Sequence, residues 1–222
     1  MSSIKQLMPP HLKPEDNLYK TLVSLASQPN VRTLLDIGAS SGEGTTAALV
    51  EGCSYKLSYQ IFAMEFGKER FEKLKENYKD YKMVHPINGS SIKLKEFPSE
   101  ENIREFHAKN KTVLNDFPVE TILDWRMVDL NYIKDNTVEE DMIRKIKKQN
   151  KIENFDLVII DGSEFTGEKE LEIVWGSSII CLDDVNGYKN FNSYHRLKAS
   201  EDYEILMDNL NERHGYAIFY KR

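Results

Sequence analysis

Apolar residues fall in two rhythms along this chain. Leu18, Leu22, Leu25 and Ala26 recur at helical spacing and predict a first helix ending near Pro29 and Asn30. Glu15 and Asp16 stand at its start, where negative charge suits the helix dipole. Ahead of it, Pro9, Pro10 and Pro14 predict an extended lead-in. Short, nearly continuous apolar runs then predict strands at residues 33–37 (TLLDI), 59–66 (YQIFAMEF), 83–88, 155–161 (FDLVIID) and 178–184 (SIICLDD). The last two strands fall at residues 203–207 and 216–220, joined by a loop short enough for a hairpin. Helical patterns separate the earlier runs: one after residue 45 with Gly52 as its stop, one at 68–78 and one at 168–174, with a short helix starting at 194–197.

Alternation of strand and helix predicts an α/β domain with a mostly parallel, Rossmann-like sheet of seven strands. Helices cover both faces, and a C-terminal antiparallel hairpin lies at one edge. The chain of 222 residues reads as one domain. Residues 1–30 form its lead-in and first helix. Residues 95–154 exceed what a sheet crossover needs and predict either an elaboration over the ligand cleft or a helix pair covering the sheet. Within it, residues 99–110 and 138–149 read as charged helices, whereas 117–133 shows no single period.

Composition narrows the class. A net charge of −6 argues against a nucleic-acid binder with a broad basic face. The two cysteines, Cys53 and Cys181, have no metal or disulfide spacing and predict reduced, structural thiols in a cytoplasmic protein. No segment approaches the roughly 20 apolar residues of a membrane span, and the opening MSSIKQLMPPHLKPED lacks the apolar run of a secretory leader. Oligomeric state is not encoded in any recognisable pattern.

Chemistry gathers around TLLDIGASSGEGT, where a strand runs into Gly38, Gly42 and Gly44 and then a helix. Glycines crowd such a turn when a ligand must approach the backbone, and the first helix amides point outward unpaired. In an open α/β sheet this is where a nucleotide-like ligand sits. Asp36, Glu65, Asp161 and the pair Asp183-Asp184 all end strands, so a parallel sheet delivers them to one rim. Glu65, ending the second strand, suits the two hydroxyls of a ribose, in dinucleotide and adenosine cofactors alike.

The order of elements, the LLDIGASSGEGT turn, Glu65, the FDLVIIDG strand and the final hairpin together resemble the class I S-adenosylmethionine-dependent methyltransferases. FDLVIIDGSEFTGEKEL, IICLDDVNGYKNFNSYHRL and HGYAIF are similar to small O-methyltransferases of glycan and polysaccharide biosynthesis. The resemblance implies that Asp36, Gly38, Ala39, Ser40, Gly42 and Thr45 serve the methionine end of S-adenosylmethionine. It implies Glu65 and Phe66 at the ribose, Asn88, Gly89 and Ser90 at the adenine, and Asp161 beside the sulfonium and the acceptor. The family's usual GxGxG is spelled GASSGEG here. The acceptor it implies is a sugar hydroxyl of a glycan or nucleotide-sugar, with a catechol-type small molecule as the alternative.

The catechol-type O-methyltransferases bind Mg²⁺ with an acid ending the fourth strand and an Asp-Asn pair ending the fifth, where this chain has Asp in place of Asn. Asp161, Asp183 and Asp184 stand in those places and predict a Mg²⁺ or Mn²⁺ site, since hard cations take oxygen ligands. His195 is the expected general base, because imidazole titrates nearest neutral pH. His107 and His214 have weaker claims, and Glu164 could orient a hydroxyl. Rival readings are a nicotinamide-dependent oxidoreductase, a non-catalytic cofactor-binding module and a nucleic-acid methyltransferase. The first lacks a compact GxGxxG and a hydride-transfer pair; the last lacks an NPPY-like motif and opposes the acidic balance.

Overall fold

The computed structural model describes residues 12–222, so Pro9 and Pro10 of the expected lead-in lie outside it. Seven strands, β1 (Thr33–Ile37), β2 (Gln60–Glu65), β3 (Val84–Asn88), β4 (Leu157–Ile160), β5 (Ile179–Asp183), β6 (Tyr203–Asn209) and β7 (Tyr216–Lys221), form one sheet. Its order is β3-β2-β1-β4-β5-β7-β6, parallel through β5 and antiparallel at the β7-β6 edge, as the alternation predicts. The order reverses between β1 and β4, leaving a crevice beyond their carboxyl ends.

The central strands are buried on both faces, and alternation along each sends neighbours to opposite cores. Leu34, Leu157, Ile159, Ile179 and Cys181 join one core, packed with α1 (Asn17–Ser27) and α2 (Thr45–Cys53). Leu35, Ile37, Val158, Ile160, Ile180 and Leu182 join the other, with α6 (Met142–Asn150), α7 (Gly167–Val174) and α8 (Phe191–Ala199). Between α2 and β3, α3 (Lys68–Asn77) buries Leu74 in the first core. Both cysteines are buried and unbridged. No helix among the described residues is long and apolar enough to cross a membrane.

The expected stop at Gly52 is corrected: α2 continues through it to Cys53. A Cβ there would lie 2.4 Å from the Val23 carbonyl oxygen of α1 and 2.7 Å from Ala26. Gly52 is therefore the contact that lets α1 and α2 meet backbone to backbone. Gly52→Val should destabilise the protein by about 2 to 4 kcal/mol through overpacking and valine's poorer fit to a helix. Denaturant unfolding reads this directly, and a midpoint equal to wild type would refute the close-contact role.

The middle block resolves into α4 (Glu100–Lys109), α5 (Val119–Asp135) and then α6. Ser99 caps α4, its hydroxyl accepting from the Asn102 amide. The expected helix at 138–149 starts later, at Met142. Residues before it pair with the chain after β3: the Ser90 amide donates to the Glu139 carbonyl at 2.8 Å and the Met142 amide to that of Ser90 at 3.1 Å. The segment without a clear period is the 17-residue α5. It buries Ile122, Leu123, Trp125 and Ile133 in a third core with Ile92, Phe97, Ile103, Leu114 and Phe165.

Candidate functional site

A cavity of about 390 Å³ opens at the carboxyl ends of β1, β2 and β4. Its floor is the glycine turn after β1. The Gly38 and Ala39 amides donate to the Met64 carbonyl, at 3.0 and 2.9 Å, and the Asp161 amide to Ile37 at 3.0 Å, so the three strand ends are tied together. Gly38 has φ +90°, and a Cβ on it would lie 1.9 Å from the Asp161 carbonyl oxygen. Glycine is thus required by conformation and by the close approach of β4.

Of the expected cofactor residues, Gly38, Ala39, Ser40, Thr45, Glu65, Phe66, Gly89, Ser90 and Asp161 line this cavity. Asp36, Gly42 and Asn88 are not among its lining residues. Asp36 is fully buried beneath the turn, accepting hydrogen bonds from Thr45 Oγ1 (2.9 and 3.0 Å) and Thr46 Oγ1 (2.6 Å). It ties β1 to the start of α2 and supports the turn from behind. Burial pushes its carboxyl up to about 6 against the pull of both threonines. The Gly42 carbonyl accepts from the Tyr78 hydroxyl at 2.6 Å. Asn88 donates to the carbonyls of Glu65 (2.8 Å) and Phe66 (3.2 Å), steadying the end of β2.

Glu65 is 4% exposed yet faces the cavity. Its Oε1 accepts from the Gly67 amide at 2.6 Å and pairs with Arg70 at 3.1 Å. Burial raises its carboxyl above the usual range, with Arg70 and the Gly67 amide pulling the other way. Above it, α5 supplies Trp125, Asp129 and Ile133 to the cavity wall. Asp129 accepts from Ser163 Oγ at 2.5 Å, which joins α5 to the loop after β4.

At the other end of the cavity stand Asp161, Glu164, Asp184, Lys189 and Arg213. Lys189 is delivered by its neighbour: Asn190 Nδ2 donates to the carbonyls of Ile160 (2.9 Å) and Asp183 (2.6 Å), bridging the ends of β4 and β5. Lys189 Nζ then donates to Asp161 Oδ1 and Asp184 Oδ2, both at 2.7 Å. Arg213 pairs with Asp183 at 3.0 Å, and His214 Nδ1 lies 3.6 Å from Asp184. Glu164 Oε1 accepts from the Lys189 amide at 3.2 Å.

Charge and burial oppose each other throughout this cluster. Burial raises Asp161 and carries Asp183 up to about 7. Burial also works against Asp184, but Lys189 and His214 outweigh it and hold that carboxyl down at about 2. Burial pulls Lys189 toward its neutral form, but Asp161 and Asp184 outweigh it and hold the ammonium well above its ordinary value. Burial pushes Glu164 up to about 7.

The expected divalent cation does not fit these residues. Between Asp161 and Asp184, the place it would need is taken by the Lys189 ammonium. Asp183 is 1% exposed, engaged by Arg213 and absent from the cavity lining. No cluster of three or more metal-ligating side chains occurs among the described residues. The expectation for His195 is corrected as well. The buried residues of α8 are Ser193, Tyr194 and Leu197, which leaves His195 exposed, edge-on to Phe191 and Tyr194 and outside the cavity lining.

Sequence reading missed Lys189, Arg213, Arg70, Trp125 and Asp129. A signal for the first two existed: adjacent acids ending a buried strand need cations nearby, and Lys189, Arg213 and His214 are the ones the flanking loops offer.

No protein-family model and no curated protein matches the chain. Solved structures do. A Staphylococcus aureus candidate caffeoyl-CoA O-methyltransferase is 16% identical, with 100% of this chain and 93% of that one covered and a TM-score of 0.52. The O-methyltransferase TomG of Streptomyces achromogenes, solved with S-adenosylmethionine, is 12% identical, with 100% and 90% covered and a TM-score of 0.54. The S-adenosylhomocysteine-bound methyltransferase PaMTH1 of Podospora anserina is 15% identical, with 92% and 78% covered and a TM-score of 0.50. Strand order, hairpin and these likenesses together give the chain the Rossmann-like fold of the methyltransferases.

Proposed function

We propose that this chain transfers a methyl group from S-adenosylmethionine to a hydroxyl oxygen, the acceptor being a sugar hydroxyl of a glycan or nucleotide-sugar. The observation that carries it is one cavity holding the Gly38 turn, the buried Glu65 and the polar cluster around Asp161. Glu65 accepts from the two ribose hydroxyls, exchanging part of its pairing with Arg70, which is itself 39% exposed. Gly89 and Ser90 flank the adenine. The Gly38–Ser40 turn and Asp161 face the methionine end. Cofactor-bound neighbours of the same fold support the donor.

In the transfer, an oxygen lone pair attacks the methyl carbon as the carbon–sulfur bond breaks, and that bond's electrons neutralise the sulfonium to a thioether. The hydroxyl proton passes to a carboxylate, and Glu164, pushed up to about 7 by burial, is matched to take it near neutral pH. Placing oxygen, methyl and sulfur in line is chiefly a proximity effect. The sugar reading rests on the number of polar groups crowded at this end: adjacent hydroxyls need several acceptors and donors at once.

Calorimetry with S-adenosylmethionine and, separately, NAD tests the donor. S-adenosylmethionine should bind, and Glu65→Gln should weaken it about 10- to 100-fold, as expected when hydrogen bonds to a buried charge are lost. Binding of NAD alone would sink the reading. Incubation with methyl-labelled cofactor and a panel of deoxysugar glycosides identifies the acceptor position.

A further inference from the structure

We propose that Lys189 is the resident cation of this site, doing with an ammonium what a divalent ion does in a metal-assisted methyltransferase, and that it holds the acceptor oxygen directly. The inference rests on the methyl-transfer reading for its chemistry but on separate observations for its geometry. The Lys189 side chain is 7% exposed, and its Nζ lies 2.7 Å from both Asp161 Oδ1 and Asp184 Oδ2. An ammonium has three N–H donors, so two are spent on carboxylates and one remains. Lys189 also lines the cavity, together with Asp161, Asp184 and Glu164.

The position is built rather than incidental. Asn190 bridges the last carbonyls of β4 and β5, and the Lys189 amide donates to Glu164. The backbone of Lys189 also packs so closely on α7 that a Cβ at Gly167 would lie 2.2 Å from its carbonyl oxygen. With its backbone held by these contacts, the side chain reaches the two aspartates. Mg²⁺ binds carboxylate oxygens at about 2.0–2.1 Å in octahedral geometry, and the ammonium stands between the oxygens it would need.

The ammonium offers a fixed hydrogen-bond donor to the acceptor oxygen, stabilising the negative charge that develops as the hydroxyl proton leaves for Glu164. It does so without dehydrating an ion, and its location is set by the fold rather than by a bound metal's occupancy.

Mn²⁺ is the probe, followed by electron paramagnetic resonance on the wild-type chain and on Lys189→Ala, Lys189→Gln and Lys189→Arg. The wild type should bind no Mn²⁺ at millimolar concentration and keep its turnover in EDTA. Lys189→Ala frees two carboxylates and should gain Mn²⁺ binding; Lys189→Gln should lose roughly 100- to 1000-fold in turnover, the cost of removing one preorganised donor from a developing oxyanion. Lys189→Arg keeps the charge and should, like the wild type, bind no Mn²⁺; circular dichroism of all three variants checks that each is folded. Wild-type Mn²⁺ binding that Asp161→Asn abolishes overturns the proposal, as does a folded Lys189→Ala that gains none. Because Mn²⁺ binding needs neither donor nor acceptor, its outcome is independent of whether S-adenosylmethionine binds.

Discussion

Gly38→Ala is expected to abolish S-adenosylmethionine binding and to lower stability by about 3 to 5 kcal/mol, among the largest effects of any single substitution. Two independent costs add at this position. The backbone sits at φ +90°, a region that L side chains rarely adopt, and the new methyl would lie 1.9 Å from the Asp161 carbonyl oxygen. That oxygen belongs to the backbone at the end of β4, so no rotamer change relieves the clash; β1 and β4 must separate. Their separation breaks the bond from the Asp161 amide to Ile37 at 3.0 Å and disturbs Asp161 itself. Gly42, at φ +84°, differs in what its Cβ would meet: the buried Tyr78 ring at 2.3 Å and Leu74 at 2.7 Å, side chains rather than backbone. Denaturant unfolding and calorimetry with S-adenosylmethionine read both effects. A Gly38→Ala protein that binds cofactor with wild-type affinity would show that the β1–β4 crevice is not where it sits.

The strands were legible because parallel strands buried on both faces read as near-continuous apolar runs, and their ends point one way whatever the loops do. That single rule brought Glu65, Asp161 and Asp184 to one cavity from distant parts of the chain. It also misplaced Asp36, for a reason that strand parity contains. Asp36 shares a face with Leu34, which packs in the core beneath α2, so its carboxylate meets Thr45 and Thr46 rather than the cavity. α5 was illegible because Met127 and Val128 are 40% and 53% exposed, which blurs the apolar stripe that Trp125 and Ile133 mark. The counter-charges were hidden most deeply. Lys189 reaches Asp161 from a loop in which Asn190 clamps two strand ends, a geometry that spacing in sequence does not reveal. Three aspartates without cations suggest a metal; the same three with Lys189 and Arg213 are already compensated.

Arg213→Met should therefore cost about 3 to 5 kcal/mol above neutral pH, lowering the unfolding midpoint by roughly 10 °C, because it strips a buried carboxylate of its partner. Asp183 is 1% exposed, and burial carries its carboxyl up to about 7 even with Arg213 at 3.0 Å. An unfolded aspartate titrates near about 3.9. Between those two values the folded protein binds a proton that the unfolded chain releases, so this group's contribution is fully present below about pH 4 and is lost as pH rises toward 7. Removing the guanidinium raises the folded value further and extends the loss above neutrality. Near pH 5 Asp183 is protonated in both proteins, and replacing arginine by an apolar side chain of similar length should cost little. The gap between variant and wild type should then widen steadily from about pH 6 to pH 9. Urea unfolding across that range measures it. A gap that stays constant with pH would mean that Arg213 acts through packing and its other contacts rather than by holding the charge of Asp183.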